Sequence, residues 1–293
     1  MPLATDHTVE ERQEIMANAP FGIEHQAPFI GSFITGLDLR REQPQEVIDA
    51  LRATLIERKV IFFREQHLSQ VQHIEFSKRF GDLEVHPVTP KDQEHQEILR
   101  IVHDQDSRGV ENNWHSDVTW RPEPSLGSLL RAIEVPEIGG DTMFANMEMA
   151  YDDLSDTIKE KVTGRTASHD FMRAFAKRIP KEKHEEFRAK TPIQHHPVIR
   201  THPESGRPSI YVNIGFTTHI DDMDKDESHA LIDILQRQAS RGEYQVRLKW
   251  EPGTIAFWDN RSSQHYAISD YWPARREMER VTVAGDKPYY KAN

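Results

Sequence analysis

No cysteine occurs among the 293 residues, so disulfides, zinc thiolates and thiol catalysis are all excluded. No apolar run approaches the roughly 18 residues needed to cross a bilayer. Nor is there an excess of basic charge: 37 Lys and Arg stand against 48 Asp and Glu, a formal net charge of −11. An acidic chain of this kind is a poor candidate for nucleic acid or for anionic membrane surfaces. The segment from Met1 to Pro20 lacks the apolar core of a signal peptide and carries Glu10, Glu11 and Glu14 instead, so a cytoplasmic location is expected. Repeats, low-complexity linkers and breaks in composition are also missing. Residues 1–293 therefore read as a single domain.

What the chain does have is a succession of short strand-like runs. Phe21–Glu24 and Gly31–Leu39 are broken by Pro28, Gly31 and Gly36, and Val60-Ile61-Phe62-Phe63 reads as a buried strand. Pro44 opens a helix with Val47, Ile48, Leu51 and Leu55 on one stripe. Ser69 and Gln72 form a capping box for a second helix, which runs to Phe80 before Gly81. The polar stretch from His86 to Val110 holds one short strand at Ile98–Val102 and reads as a long loop over a site. Further strands are expected at Ser128–Ile133, Thr142–Ala145, Ser209–Asn213, Tyr244–Trp250, Thr254–Trp258 and Arg280–Ala284, with a Gly139-Gly140 turn joining the first two. Phe171–Lys190 reads as helical. Ser228–Gln238 reads as an amphipathic helix with Leu231, Ile234 and Leu235 inward. This pattern predicts a mainly β, cupin-like jelly roll with helical decoration.

The chemistry concentrates in Trp114-His115-Ser116-Asp117-Val118-Thr119-Trp120. On an extended strand, His115 and Asp117 would point to the same face. An imidazole and a carboxylate on one face make two thirds of the 2-His-1-carboxylate triad associated with non-heme Fe(II) oxygenases. His265, in Gln264-His265-Tyr266 beyond a strand and a polar turn, is a candidate for the third ligand, although such a histidine can equally cap or pack. His195-His196, His202 and His219 compete for the role in weaker strand contexts. Near the C-terminus, Arg276 and Arg280 share strand parity and hence a face. Two inward guanidiniums call for anions. The alternative is a solvated charge run paired with Glu277 and Glu279.

These segments, together with Gly139-Gly140-Asp141-Thr142, Val198-Ile199-Arg200-Thr201-His202-Pro203, Gly215-Phe216-Thr217-Thr218, Trp258-Asp259-Asn260-Arg261 and Gly285-Asp286-Lys287-Pro288, resemble the taurine dioxygenase (TauD/TfdA) family along nearly the whole chain. The resemblance implies an Fe(II)- and 2-oxoglutarate-dependent dioxygenase on a double-stranded β-helix, using O₂. His115, Asp117 and His265 would hold the iron, while Thr142 and Arg276 would bind 2-oxoglutarate. At the substrate end the resemblance points to His86 and Arg280 for the anionic head, and to Phe171, Phe216 and Val118 for the walls. Thr89 and Glu111 stand where the family has a tyrosine and an asparagine. The substrate implied is a small anion. An aminosulfonate such as taurine, cleaved to an aldehyde and sulfite, comes first; alkyl sulfates and aryloxy or carboxylic acids follow. A homo-oligomer, dimer or tetramer, is expected. The reading from a different class is a cupin-like module that binds metal without turnover.

Overall fold

The computed structural model describes residues 7–86, 89–109 and 111–292. Its largest element is a seven-stranded sheet. In spatial order the strands are Gly22–His25, Ser32–Thr35, Val60–Phe63, Ile255–Asp259, Gly127–Glu134, Arg276–Val283 and Leu99–His103. Neighbours run antiparallel except for Ser32–Thr35 against Val60–Phe63. A three-stranded antiparallel sheet of Gln245–Leu248, Thr142–Asn146 and Ser263–Ala267 faces it.

Side-chain alternation explains both layers. Val60, Phe62, Leu130, Ala256, Trp258 and Met278 leave one face of the large sheet and meet Phe144, Val246 and Leu248 of the small one. Ile61, Phe63, Leu129, Ile255 and Phe257 leave the opposite face. They pack under the helices Gln45–Arg58 and Gln70–Lys78, through Ile48, Leu51, Leu55 and Phe76. A strand covered on both sides has no polar face, which is why Val60-Ile61-Phe62-Phe63 is apolar throughout. Ser69 and Gln72 make the expected capping box, although the helix ends at Lys78 rather than at Phe80.

Four local expectations are corrected. The stretch Trp114–Trp120 is not a strand. His115 makes a single antiparallel bridge to His265, and the chain then turns through Asp117–Trp120 with Val118 at φ +47°. Phe171–Lys190 is not one helix; Phe171–Phe175 and His184–Lys190 flank two 3₁₀ turns interrupted at Pro180, which cannot donate to a helical ladder. In the helix Lys225–Gln238, Ile232 is buried beside Leu231 and Leu235 while Ile234 is exposed, because the inward stripe lies one position earlier than read. Finally, Gly139-Gly140 is not a hairpin turn: the strands before and after it belong to different sheets. Both glycines have positive φ, and the Gly140 N–H donates to Asp270 Oδ1 at 2.8 Å.

Two smaller sheets complete the strand content of the described residues: Thr217–Ile220 with Thr166–His169 and Gln194–Pro197, and Ile199–Thr201 with Pro208–Ile210. No helix among the described residues is long and apolar enough to cross a membrane.

Candidate active site

His115, Asp117 and His265 converge at the open end between the two facing sheets, with one potential ligand atom from each lying within 4.8 Å of the others. It is the only such group of three or more His, Asp or Glu side chains among the described residues. Backbone pairing brings them together. The His115 N–H donates to the His265 carbonyl at 3.1 Å, and the His265 N–H returns the bond at 2.8 Å. The turn after His115, rather than strand alternation, then swings Asp117 to the same side.

Hydrogen bonds, burial and charge set up each ligand candidate. His115 Nδ1 lies 2.8 Å from the Asn113 carbonyl, which can only accept. The ring therefore donates there from Nδ1, which leaves Nε2 as the nitrogen turned to a metal. His265 is pushed down to about 3, first by burial and then by neighbouring His115, so it is a neutral imidazole near neutral pH. Burial alone would raise the carboxyl of Asp117. The Arg280 guanidinium, donating to Oδ1 at 2.8 Å, outweighs burial and holds the group ionised, well below the usual carboxylate range. Ser128 Oγ donates to the other oxygen at 2.8 Å, and the Asp117 N–H donates to Asn260 Oδ1 at 3.2 Å. Two imidazoles and a carboxylate facing one point fit a divalent transition metal and leave room for further ligands. The competing histidines are committed elsewhere. His202 pairs with buried Asp259 at 3.0 Å, His195 with Asp221 at 2.9 Å, His196 lies 2.9 Å from the Arg121 carbonyl, and exposed His219 bonds Thr218.

Two cavities meet at this triad, with His115 and Arg280 lining both. Thr142, Arg276, Tyr271, Trp258 and His265 line the inner one. Arg276 is 5% exposed, its Nε has no partner, and its guanidinium lies 5.9 Å from the Trp250 ring and 5.8 Å from that of Tyr271. No carboxylate among the described residues is ion-paired with it. A buried guanidinium without an ion-paired carboxylate is costly, and burial outweighs the Tyr271 hydroxyl and the more distant Glu111 and Asp141 to lower its proton affinity. This is the electrostatic signature of a site for an incoming anion. Thr142 Oγ1 accepts from Trp250 Nε1 at 3.0 Å, which leaves the hydroxyl proton available to such an anion.

The outer cavity, about 710 Å³, is lined by His86, Glu111, Val118, Trp120, Phe175, Ile214, Phe216 and others. His86 is pushed down to about 4 by burial and by the nearby Arg280 and Arg121 guanidiniums, so it is neutral near neutral pH. Phe171 and Thr89 do not line the cavity. Phe171 stands behind it, edge-on to Trp120 at 4.8 Å between ring centroids, and Thr89 is buried with its hydroxyl unpartnered. Glu111 lines both cavities with its side chain 40% exposed, 3.4 Å from both His103 Nε2 and Arg178 Nη2. Reading the sequence did not single out Ser128, Tyr271 or Trp250 as site residues, because none carries a motif of its own; Asn113 opens the stretch Asn113–Thr119 that carries the family resemblance, but without a role. Asn260 lay inside the quoted Trp258–Arg261 segment without a role.

Comparisons with known proteins agree with this geometry. Residues 22–282 match the model of the family described as taurine catabolism dioxygenase TauD, TfdA family. The chain is 34% identical over 285 residues to an alpha-ketoglutarate-dependent sulfate ester dioxygenase of Pseudomonas putida, covering 93% of this chain and 94% of that protein. It is 33% identical to an alkylsulfatase of Acinetobacter baylyi, with 88% and 83% covered. A solved taurine dioxygenase from Burkholderia xenovorans superposes with a TM-score of 0.80 at 33% identity, covering 92% of this chain and 93% of that one.

Proposed function

The chain belongs to the taurine catabolism dioxygenase TauD, TfdA family, and from that premise we propose an Fe(II)- and 2-oxoglutarate-dependent dioxygenase that hydroxylates the carbon bearing a sulfonate or sulfate ester group. The hydroxylated product collapses to an aldehyde and sulfite from a sulfonate, or to an aldehyde and sulfate from a sulfate ester. The observation that carries the reading is the convergence of His115, Asp117 and His265 beside a cavity that holds Arg276, buried and with no ion-paired carboxylate. In this reading the two facing sheets are the walls of a double-stranded β-helix, residues 1–293 act as one domain, and the enzyme works in the cytoplasm.

His115, Asp117 and His265 hold the metal, and Thr142 and Arg276 take the far carboxylate of 2-oxoglutarate through a hydroxyl and a planar fork. Fe(II) with 2-oxoglutarate and O₂ supplies oxidative decarboxylation to succinate and CO₂ and the removal of hydrogen from an unactivated carbon. Arg280 and His86 orient the anionic head of the substrate, and Val118, Trp120 and Phe216 exclude water from the reacting carbon.

The outer cavity bears on the body of the substrate. It falls within the roughly 300–1,000 Å³ of drug-sized ligand sites, larger than a two-carbon aminosulfonate fills. Its walls include Leu99, Ile101, Val118, Phe175, Ile214 and Phe216, while the Glu111 carboxylate is already turned to His103 and Arg178. These features favour an apolar body on an anionic head over an ammonium. A panel of taurine, hexanesulfonate, hexyl sulfate and phenoxyacetate, scored for sulfite, sulfate and aldehyde or phenol, tests this. The expected order puts hexyl sulfate or hexanesulfonate first, with little change in Glu111→Gln. A clear preference for taurine that falls in Glu111→Gln would restore the aminosulfonate reading.

A further inference from the structure

Behind the proposed metal site lies a buried polar cluster that the mechanism above does not use. Thr119, His169, Asn213 and Thr217 are each at most 1% exposed. Asn213 Nδ2 donates to Thr119 Oγ1 at 3.0 Å, and His169 Nδ1 lies 2.9 Å from the same oxygen. On its other side, Asn213 Oδ1 accepts from the Phe216 N–H at 3.0 Å, and the Asn213 N–H donates to Thr217 Oγ1 at 2.9 Å.

Three segments are tied at this junction. Thr119 follows Asp117 by two residues, Phe216 forms a wall of the outer cavity, and His169 ends the strand that leads into Phe171. The Asp170 N–H also donates to the Phe216 carbonyl at 2.9 Å. The turn bearing Phe216 is pressed against the ligand loop. The Ile214 N–H donates to the Trp114 carbonyl at 3.3 Å, and a Cβ on Gly215 would stand 3.3 Å from the Cβ of His115.

Apolar packing is non-directional, whereas hydrogen bonds with buried partners fix distance and angle. We propose that Thr119 and Asn213 are positioning residues that set the separation between the His115/Asp117 pair and the Phe216 wall, and thereby the fraction of 2-oxoglutarate turnovers that oxidise substrate. The inference rests on the dioxygenase reading above. In a coupled turnover, 2-oxoglutarate, O₂ and R–H become succinate, CO₂ and R–OH. In an uncoupled one, two electrons and two protons from ascorbate take the place of R–H, and water forms in place of R–OH. A displacement of about 1 Å can cost on the order of 100-fold in a reaction that depends on alignment. Substrate oxidation is therefore lost before decarboxylation is.

Thr119→Val removes the hydroxyl at nearly constant shape, and Thr119→Ser keeps it. Asn213→Asp, which keeps the acceptor for the Phe216 amide and removes the donor to Thr119, is the second variant. With hexyl sulfate, Fe(II), 2-oxoglutarate and ascorbate, the ratio of succinate to hexanal should rise roughly tenfold in Thr119→Val and in Asn213→Asp. The KM for 2-oxoglutarate should stay unchanged, and Thr119→Ser should restore the wild-type ratio. An unchanged ratio in both variants, or a parallel loss of 2-oxoglutarate affinity, overturns the proposal. Wild-type enzyme that makes no hexanal overturns the substrate reading instead. The decision then falls to hydrogen exchange on the anaerobic protein loaded with Fe(II) and 2-oxoglutarate. Amides 213–217 should exchange about tenfold faster in Thr119→Val and recover in Thr119→Ser; equal exchange in all three sinks the idea.

Discussion

Among single residues, Arg276 separates the proposed cosubstrate site from ordinary surface charge. Along the strand Arg276–Val283, Arg276, Met278 and Arg280 turn to the cavity side, while Glu277 and Glu279, both buried, turn to the opposite face. Glu277 bonds Arg100 at 2.5 Å and also Arg275, and Glu279 bonds Arg131, so neither neutralises the inward guanidiniums. Arg276→Ala should raise the KM for 2-oxoglutarate by roughly 30-fold or more, the cost of leaving a desolvated carboxylate unpaired. Fe(II) affinity, measured by calorimetry without cosubstrate, should hold. Arg276→Lys should rescue little, since an ammonium cannot reproduce the planar fork. A normal KM in Arg276→Ala would remove this residue from the site. The parity of the two arginines was legible in the sequence because they lie on a regular strand, where period two holds.

For the elements, the turn 259–263 shows what sequence patterns conceal. It joins the strand Ile255–Asp259 to the strand that carries His265, and it also supplies Asn260. Arg261 fixes it by bonding Asp259 at 2.7 Å and Glu204 at 2.5 Å, and Arg52 grips Glu204 at 2.7 Å. Burial by itself would raise Glu204; Arg261 and Arg52 outweigh it and hold the carboxyl at about 2. A folded-state value below the unfolded one contributes stability that is present above about 4.5 and lost as pH falls toward 2. That contribution is on the order of 3 kcal/mol. Glu204→Gln should therefore lower Tm near neutral pH and flatten the decline of Tm between pH 5 and 3; an unchanged acid slope would count against the network. Residues 202–204 lie more than fifty positions from Arg261, so no local pattern could reveal the tie. The capping box at Ser69 was legible because caps are local chemistry. The extended geometry expected for Trp114–Trp120 was not, because a backbone bridge to a distant strand and the positive φ of Val118 decide it. His115 and Asp117 do lie on one side, but a turn brings them there and not the strand alternation expected.

For the whole molecule, charge is distributed against its average. A chain of net charge −11 places Arg173, Lys177 and Arg178 around the mouth of the outer cavity, with Arg280 deeper inside. Such an arrangement raises the local concentration of anions and suits an enzyme whose cosubstrate and proposed substrate are both negative. The mainly β, cupin-like class was legible from turn spacing, whereas the short strands Thr166–His169, Gln194–Pro197, Ile199–Thr201 and Thr217–Ile220 went unread, and so did the crossing between sheets at Gly139-Gly140, since a glycine pair looks the same in a hairpin. The central claim is that His115, Asp117 and His265 form a turnover-competent iron centre rather than a passive metal-binding pocket. The most direct test is succinate release from 2-oxoglutarate by protein loaded with Fe(II) and ascorbate, with and without O₂, comparing wild type with His265→Ala and Asp117→Ala. The account predicts O₂-dependent succinate from the wild type, increased by an anionic substrate and reduced to background in both variants. Tight Fe(II) binding with no succinate under any of these conditions would contradict it.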